Sequence, residues 1–135
     1  MLIADATEAT GLEFTSQTVA KLQSDSHGRV IHSNHLLLDH PGMVDTCWLA
    51  DSPFRVQRMQ KLADGLGEEP SWSEFSRLFE DEKNAPAAIC RSVEAPGVSA
   101  TLFNIVMDLE SGRAVLRLGK PNRPVETVEM GFGRE

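Results

Sequence analysis

The sequence is poor in cysteine and in positive charge, and each shortage excludes a class of protein. Two cysteines, Cys47 and Cys90, among 135 residues do not form the disulfide framework of a small secreted domain. Thirteen basic residues against twenty acidic residues give a net charge of −7, which argues against binding to the phosphate backbone of a nucleic acid. We therefore expect a reduced cytoplasmic protein with no nucleic-acid partner.

The sequence also lacks a long apolar run. Its most apolar segment covers residues 101–109, whereas a membrane-spanning helix needs ~20 apolar residues. The short apolar stretch after Met1 has no basic flank of the kind that begins a signal peptide. We therefore predict no membrane association and no secretory leader. A hydrophobic share of 41% in this length suits one domain, residues 1–135.

The first part of the chain is predicted to form strands. Short apolar runs lie at residues 2–6 and 11–14, and residues 18–23 are rich in residues that favour β-structure. Residues 24–28, Ser-Asp-Ser-His-Gly, are a strong turn signal. Residues 29–33 are therefore predicted to be the returning strand of a hairpin.

Two helices are predicted in the middle of the chain. Ser52 and Pro53 fit the start of the first helix, with Ser52 as N-cap and proline at the first helical position. Gly65 marks the end of that helix. Ser71 and Glu74 fit a capping box at the start of the second helix.

The last part of the chain is again predicted to form strands. Residues 88–93 are one candidate, and the apolar run 101–109 is typical of a strand covered on both faces. Ser111-Gly112 predicts a hairpin turn into residues 114–118. Residues 128–132 alternate, which predicts a strand with one buried face. The predicted fold class is α+β, with a mostly antiparallel sheet and a two-helix hairpin packed on it.

Three of the four histidines lie in one short segment, "IHSNHLLLDH", residues 31–40. A metal site here would draw on four candidate ligands: His32, His35, Asp39 and His40. On a strand, however, His32 and His35 point to opposite faces, which disfavours a metal site. A purely structural role, where a strand leaves the sheet, is the main alternative. We predict no metal and no cofactor.

Asn34, in the same segment, suggests a catalytic alternative. An asparagine amide at the end of a strand can donate a hydrogen bond to an anionic tetrahedral intermediate, provided that a nucleophile is near. A weaker alternative makes Cys90 the nucleophile, with His32 or His35 as its base. A thiol inside a strand-like run is more often a packing residue.

Five segments, in a fixed order, together resemble one protein family. They are "GLEFTSQTVAKLQSDSHGRVIHSNHLLLDH", "SPFRVQRMQKL", "AAICRS", "ATLFNIVMDLESGRAVLRLGKPN" and "VEMGF". The set resembles the acyl-coenzyme A:isopenicillin N acyltransferases and their bacterial relatives, from about residue 5 to residue 132. This resemblance implies the N-terminal-nucleophile hydrolase fold, a four-layer αββα sandwich, of which this chain is the C-terminal half.

The resemblance also implies a chemistry and roles for single residues. In the family, an N-terminal cysteine attacks an amide or thioester, and its own α-amino group serves as the base. By resemblance, Asn34 is the oxyanion donor, His35 holds its loop, and Arg91 supports the site. Ser99 lies near the position of a family serine, in a region that is one residue shorter here than in the family.

One departure from the family pattern concerns the nucleophile, because neither Cys47 nor Cys90 matches its position. We therefore expect a part of an enzyme that is inactive alone and pairs with a missing N-terminal half. The substrate of the full-length enzyme is expected to be a small-molecule amide or acyl-thioester. The alternative is a non-catalytic binding or self-assembling module, because half of a sandwich exposes apolar sheet surface and strand edges.

Overall fold

The described residues form two three-stranded antiparallel sheets and two α-helices. A computed structural model of the chain describes residues 1–46, 50–93 and 99–133. In chain order the elements are β1 Leu2–Ala4, β2 Ala9–Phe14, β3 Val19–Leu22, α1 Ser52–Ala63, α2 Trp72–Arg77, a 3₁₀ turn Leu78–Glu80, β4 Phe103–Asp108, β5 Arg113–Lys120 and β6 Arg123–Gly131. The predicted α+β class with antiparallel strands is confirmed.

The N-terminal sheet has the order β1-β2-β3. Gly11 lies on the central strand, opposite Leu22. Glycine suits this position because a Cβ atom there would meet the Leu22 side chain at 2.9 Å. Glu13 and Leu22 lie on the same face of the sheet and are both buried. The residues that cover Glu13 come from the histidine-rich segment described below.

The predicted strand at residues 29–33 is wrong, since this segment forms no strand. Arg29 instead returns to the preceding turn, where its N–H and its Nε both donate to the Asp25 carboxylate, at 2.9 and 2.8 Å. Its Nη2 also donates to Asp64, just after α1, at 2.8 Å. These contacts fix the backbone by side-chain hydrogen bonds rather than by pairing with β3.

The two helices start differently from each other. The capping box of α2 is confirmed, since Glu74 N–H donates to Ser71 Oγ at 3.3 Å and Ser71 N–H donates to Glu74 Oε2 at 2.9 Å. The prediction for α1 is wrong by one residue, because its N-cap is Asp51 and no side chain caps the helix there. The Ser52 hydroxyl is fully buried and bonds to a different segment.

The C-terminal sheet is a meander, β4-β5-β6. The predicted turn at Ser111-Gly112 is confirmed, and Gly112 has a φ of +66°. The predicted strand at residues 88–93 is wrong. That segment is held as a loop, in which Cys90 N–H donates to Asp81 O at 2.9 Å and Thr101 N–H donates to Arg91 O at 3.2 Å.

Helix α2 contacts one face of the C-terminal sheet. On that face Val106 is 2% exposed, and the Arg113 guanidinium stacks on the Trp72 ring of α2 at 4.9 Å. On the other face, Phe103, Ile105 and Met107 are 57%, 39% and 50% exposed. The prediction that β4 is covered on both faces is therefore wrong. The predicted buried face of β6 is wrong too, since Val128 alone within that strand is even partly buried.

In the described parts of the chain, no helix is both long enough and apolar enough to cross a bilayer.

Gly112 provides a test of the C-terminal sheet. Its positive φ disfavours any other residue, and a Cβ atom there would lie 2.5 Å from the Phe132 carbonyl oxygen. We expect Gly112→Ala to lower the free energy of unfolding by about 2 kcal/mol or more, as measured by urea denaturation. The control is Gly67→Ala, because a Cβ atom at Gly67 would meet nothing within 4 Å. Equal stability of the two variants would contradict the described turn.

Candidate functional site

The histidine-rich segment is wrapped around one buried carboxylate, that of Glu13. Glu13 lies on β2, which pairs with β3, and its side chain is buried, with only 3% of the residue exposed. Its oxygens accept hydrogen bonds from the N–H groups of Leu37 and Leu38, at 2.6 and 3.0 Å. They also contact Nε2 of His32 and of His40, at 2.9 and 3.0 Å. Four partners therefore compensate the desolvation of this charge.

These contacts keep Glu13 ionised. Burial by itself raises the pKa of a carboxyl group, but hydrogen bonds from Leu37, His40, His32 and Leu38 outweigh it and lower the pKa of Glu13 to about 2. The other ring nitrogen of His32 lies 2.6 Å from Ser33 O. Both ring nitrogens of His32 are therefore engaged, one by the Glu13 carboxylate and the other by a backbone carbonyl of its own segment.

The histidines thus anchor a loop rather than line a metal site. His40 is buried and bridges Glu13 to Thr18, whose Oγ1 lies 2.7 Å from Nδ1 of His40. His35 bonds elsewhere, and Asp39 is exposed. No group of three or more His, Cys, Asp or Glu side chains within the described ranges is arranged to hold a metal ion.

Asn34 lies at the surface of this anchored loop, and its amide is oriented. Its backbone N–H donates to Ser52 Oγ at 2.8 Å, and its Oδ1 accepts from Arg55 Nη2 at 2.6 Å. Ser33 Oγ makes a longer contact to the same oxygen, 3.4 Å. A guanidinium only donates, so the amide oxygen must face Arg55 and the two N–H bonds of Nδ2 point away from it. Within the described residues, those N–H bonds donate to no other group.

Ser52 joins the neighbouring histidine to the same place. Nδ1 of His35 lies 2.8 Å from Ser52 Oγ, and Ser52 is fully buried at the start of α1. A single hydroxyl thus holds both the Asn34 backbone and the His35 ring. The supporting role of His35 stays a prediction, now with a specific contact behind it.

Arg91 reaches the same helix end from the opposite direction. Its Nη2 pairs with the Asp51 carboxylate, and its Nη1 donates to Ser99 Oγ at 2.9 Å. Asp51 Oδ2 also accepts from Nε of Arg55 at 3.2 Å, one helical turn along α1. A continuous chain of contacts therefore runs from Ser99 through Arg91, Asp51 and Arg55 to Asn34.

The structure thus brings together residues that the sequence had singled out separately: Asn34, His35, Arg91 and Ser99. Sequence reasoning missed their connectors at the start of α1, which are Asp51, Ser52 and Arg55. The i,i+4 spacing of Asp51 and Arg55 was an available signal, because it predicts a helical ion pair. Glu13 was missed as well, and its only signal was a lone charge among apolar residues in "GLEF".

Cys90 does not belong to this cluster. It is 1% exposed, burial raises the pKa of its thiol, and its Sγ lies 3.6 Å from Asn122 Oδ1. His32 and His35 make their hydrogen bonds to other groups. The alternative of a Cys90 nucleophile with a histidine base is therefore not supported. Cys47 lies outside the described residues.

Comparison with known proteins identifies the family. The sequence profile of the family described as acyl-coenzyme A:6-aminopenicillanic acid acyl-transferase matches residues 1–123. The chain belongs to this family. It is similar to the acyl-coenzyme A:6-aminopenicillanic-acid-acyltransferase 40 kDa form of Emericella nidulans, with 41% identity over 134 residues. The match covers 98% of this chain but only 37% of that acyltransferase. The family resemblance inferred from the sequence is confirmed.

Substitution of Glu13 tests whether its carboxylate holds the loop of residues 32–40 in this member of the acyltransferase family. The pKa of Glu13 is lowered from an ordinary 4.5 to about 2. Its contribution to stability is thus present above pH 4.5 and is lost as the pH falls toward 2. By linkage this amounts to about 3 kcal/mol. We expect Glu13→Gln to lower the free energy of unfolding by a similar amount at pH 7. The free energy of unfolding of this variant should also fall less steeply than that of the unchanged chain as the pH is lowered.

The measurement is urea denaturation at a series of pH values from 7 to 3. Glu69→Gln is the control, because Glu69 is exposed. If Glu13→Gln and Glu69→Gln gave the same curve as the unchanged chain, the anchor would be wrong.

Proposed function

We propose that this chain is the C-terminal part of a cysteine N-terminal-nucleophile acyltransferase or amidohydrolase. Its substrate is a small-molecule amide or acyl-thioester. Family membership supports acyl transfer as the reaction class. Within the chain, the observation that carries the proposal is the Asn34 amide, whose oxygen is held by Arg55 and whose N–H bonds are directed away from it.

The proposed role of Asn34 follows from the chemistry of acyl transfer. A thiolate attacks the acyl carbon, a C–S bond forms, and the carbonyl π electrons move to oxygen. The resulting oxyanion accepts a hydrogen bond from Asn34 Nδ2. The intermediate then collapses, the bond to the amine or thiol leaving group breaks, and the leaving group takes the proton that the nucleophile's own α-amino group removed from the thiol. Water or an acceptor amine releases the acyl group from the acyl-enzyme.

The attacking thiol in this proposal comes from outside these 135 residues. Cys90 is buried and bonded to Asn122, and neither cysteine matches the nucleophile position of the family. The chain spans a little over a third of the Emericella relative. The remaining part of such an enzyme is proposed to supply the nucleophile and to cover the apolar face of β4, completing an αββα sandwich. The exposure of Phe103 and Met107 supports this second layer.

Reconstitution tests the proposal. The chain is co-expressed with the part of the Emericella acyltransferase that lies outside the matched region, and acyl transfer from an acyl-coenzyme A and amide hydrolysis are both assayed. We expect turnover in the complex and none in the isolated chain. Asn34→Ala is expected to lower kcat by about 100-fold or more with little change in KM, because an oxyanion donor acts in the transition state.

Asn122→Ala is the control, because it removes an amide that, among the described residues, contacts Cys90 and not Asn34 or Arg55. A co-purifying complex with no turnover would count against the proposal. So would turnover by the isolated chain that survives Cys47→Ala combined with Cys90→Ala.

A second candidate function is a self-assembling, non-catalytic module. The observation that favours it is the same uncovered apolar sheet face, on which Phe103, Ile105, Met107, Leu118 and Met130 are each at least 36% exposed. A second copy of the chain would bury that face.

Light scattering coupled to size-exclusion chromatography tests self-assembly. We expect the isolated chain to form a dimer whose fraction rises with concentration, and Phe103→Glu to shift it to monomer. Val44→Glu is the control, since Val44 is 82% exposed but lies in a loop outside both sheets. A stable monomer at millimolar concentration would rule out this module.

A further inference from the structure

We infer that Arg55 is a positioning residue for catalysis, which orients the Asn34 amide through its oxygen. This inference rests on the proposed role of Asn34 as an oxyanion donor. It adds a residue on α1 to the proposed machinery. It has three independent supports in the structure: the donor pattern, the fixation of the guanidinium, and the placement of the backbone.

The donor pattern decides which way the amide faces. An asparagine amide rotates about a broad, roughly two-fold terminal torsion, so an unheld amide presents its oxygen or its nitrogen to solvent. The contact of 2.6 Å between Arg55 Nη2 and Asn34 Oδ1 selects one orientation, since arginine has no acceptor. The cation on the amide oxygen also polarises the group, which makes its N–H bonds better donors.

The guanidinium is itself fixed. Asp51 accepts from Nε of Arg55 at 3.2 Å and pairs with Arg91 on its other side. Arg91 is held in turn by Ser99. The Arg55 side chain is only 19% exposed. Its side-chain entropy is therefore already lost before any substrate binds, so orienting Asn34 costs little during the reaction.

The backbone of Asn34 is placed by the same helix end. Ser52 Oγ accepts its N–H at 2.8 Å, while Glu13 holds the loop three and four residues further on. Backbone and side-chain oxygen are thus fixed separately, from Ser52 and from Arg55. The Asn34 amide then has its free donors in one direction, as an oxyanion donor requires.

The test compares two arginines of α1. Arg55→Met removes the donors but keeps an apolar stem, and Arg58→Met is the matched control. The Arg58 side chain is 16% exposed and pairs with Asp81, so its loss also breaks an ion pair without touching Asn34. Arg55→Lys retains a positive donor and serves as the conservative variant.

The first readout is the NMR spectrum of the Asn34 side-chain amide in the isolated chain. We expect Arg55→Met to shift both Nδ2 proton resonances and to bring them closer together, as the amide becomes mobile. Arg58→Met leaves them in place, and Arg55→Lys gives intermediate positions. Unchanged Asn34 resonances in Arg55→Met would overturn the inference, whatever the activity.

The second readout is the kinetics of the reconstituted complex. We expect Arg55→Met to lower kcat by about tenfold or more, with KM changed by less than about threefold, and Arg55→Lys to recover part of the loss. Arg58→Met keeps the kcat of the unchanged complex. An active complex in which Arg55→Met and Arg58→Met have equal kcat would overturn the inference. So would a loss in Arg55→Met when Asn34→Ala has no effect.

The two readouts separate the inference from the proposed function. If the unchanged complex shows no turnover, the proposed function fails, and the NMR comparison alone decides whether Arg55 orients Asn34. If the complex is active and depends on Asn34, the kinetic comparison decides whether that orientation matters for catalysis.

Discussion

The candidate site depends on the hydrogen bonds that the loop of residues 32–40 makes to the Glu13 carboxylate. An ionised carboxylate in the interior costs several kcal/mol unless donors surround it. Here the donors are two backbone amides and two imidazoles, and all four belong to one loop segment. The charge on β2 therefore dictates the path of residues 32–40. Removing one donor would leave a buried charge partly unpaired, so the loop is held as a unit rather than by additive contacts.

The start of α1 fixes the remaining freedom of that loop. Asp51 lies between Arg55 and Arg91, and Ser52 holds the Asn34 backbone. Acidic and basic side chains alternate along this path, so each charge has an opposite neighbour and little repulsion remains. Two anchors, one on β2 and one on α1, leave an outward-facing amide with little freedom to reorient. Such preorganisation is what electrostatic catalysis requires.

The apolar surfaces have a different meaning. A sheet face that carries Phe103, Ile105 and Met107 in solvent is unusual for a complete domain. The chain matches 37% of the length of the Emericella acyltransferase, and in the proposed enzyme the remaining part covers this face. In the proposed enzyme, covalent chemistry and substrate selection depend on this chain and on the remaining part together. The cluster of contacts around Asn34 is built entirely from this chain.

The sequence by itself determined the features that depend on near neighbours: the α+β class, the capping box of α2 and the turn at Gly112. It also identified the family through the order of its motifs. Local signals failed at residues 29–33, where Asp25 captures the backbone, and at the start of α1, where Ser52 bonds to a distant loop. Only the tertiary structure decided that Glu13 is buried and that Asn34 meets Arg55. The residues of these contacts are about 20 or more positions apart, so no local propensity encodes them. The Glu13 carboxylate and the Asn34 amide reach their hydrogen-bond partners only when the chain folds back on itself.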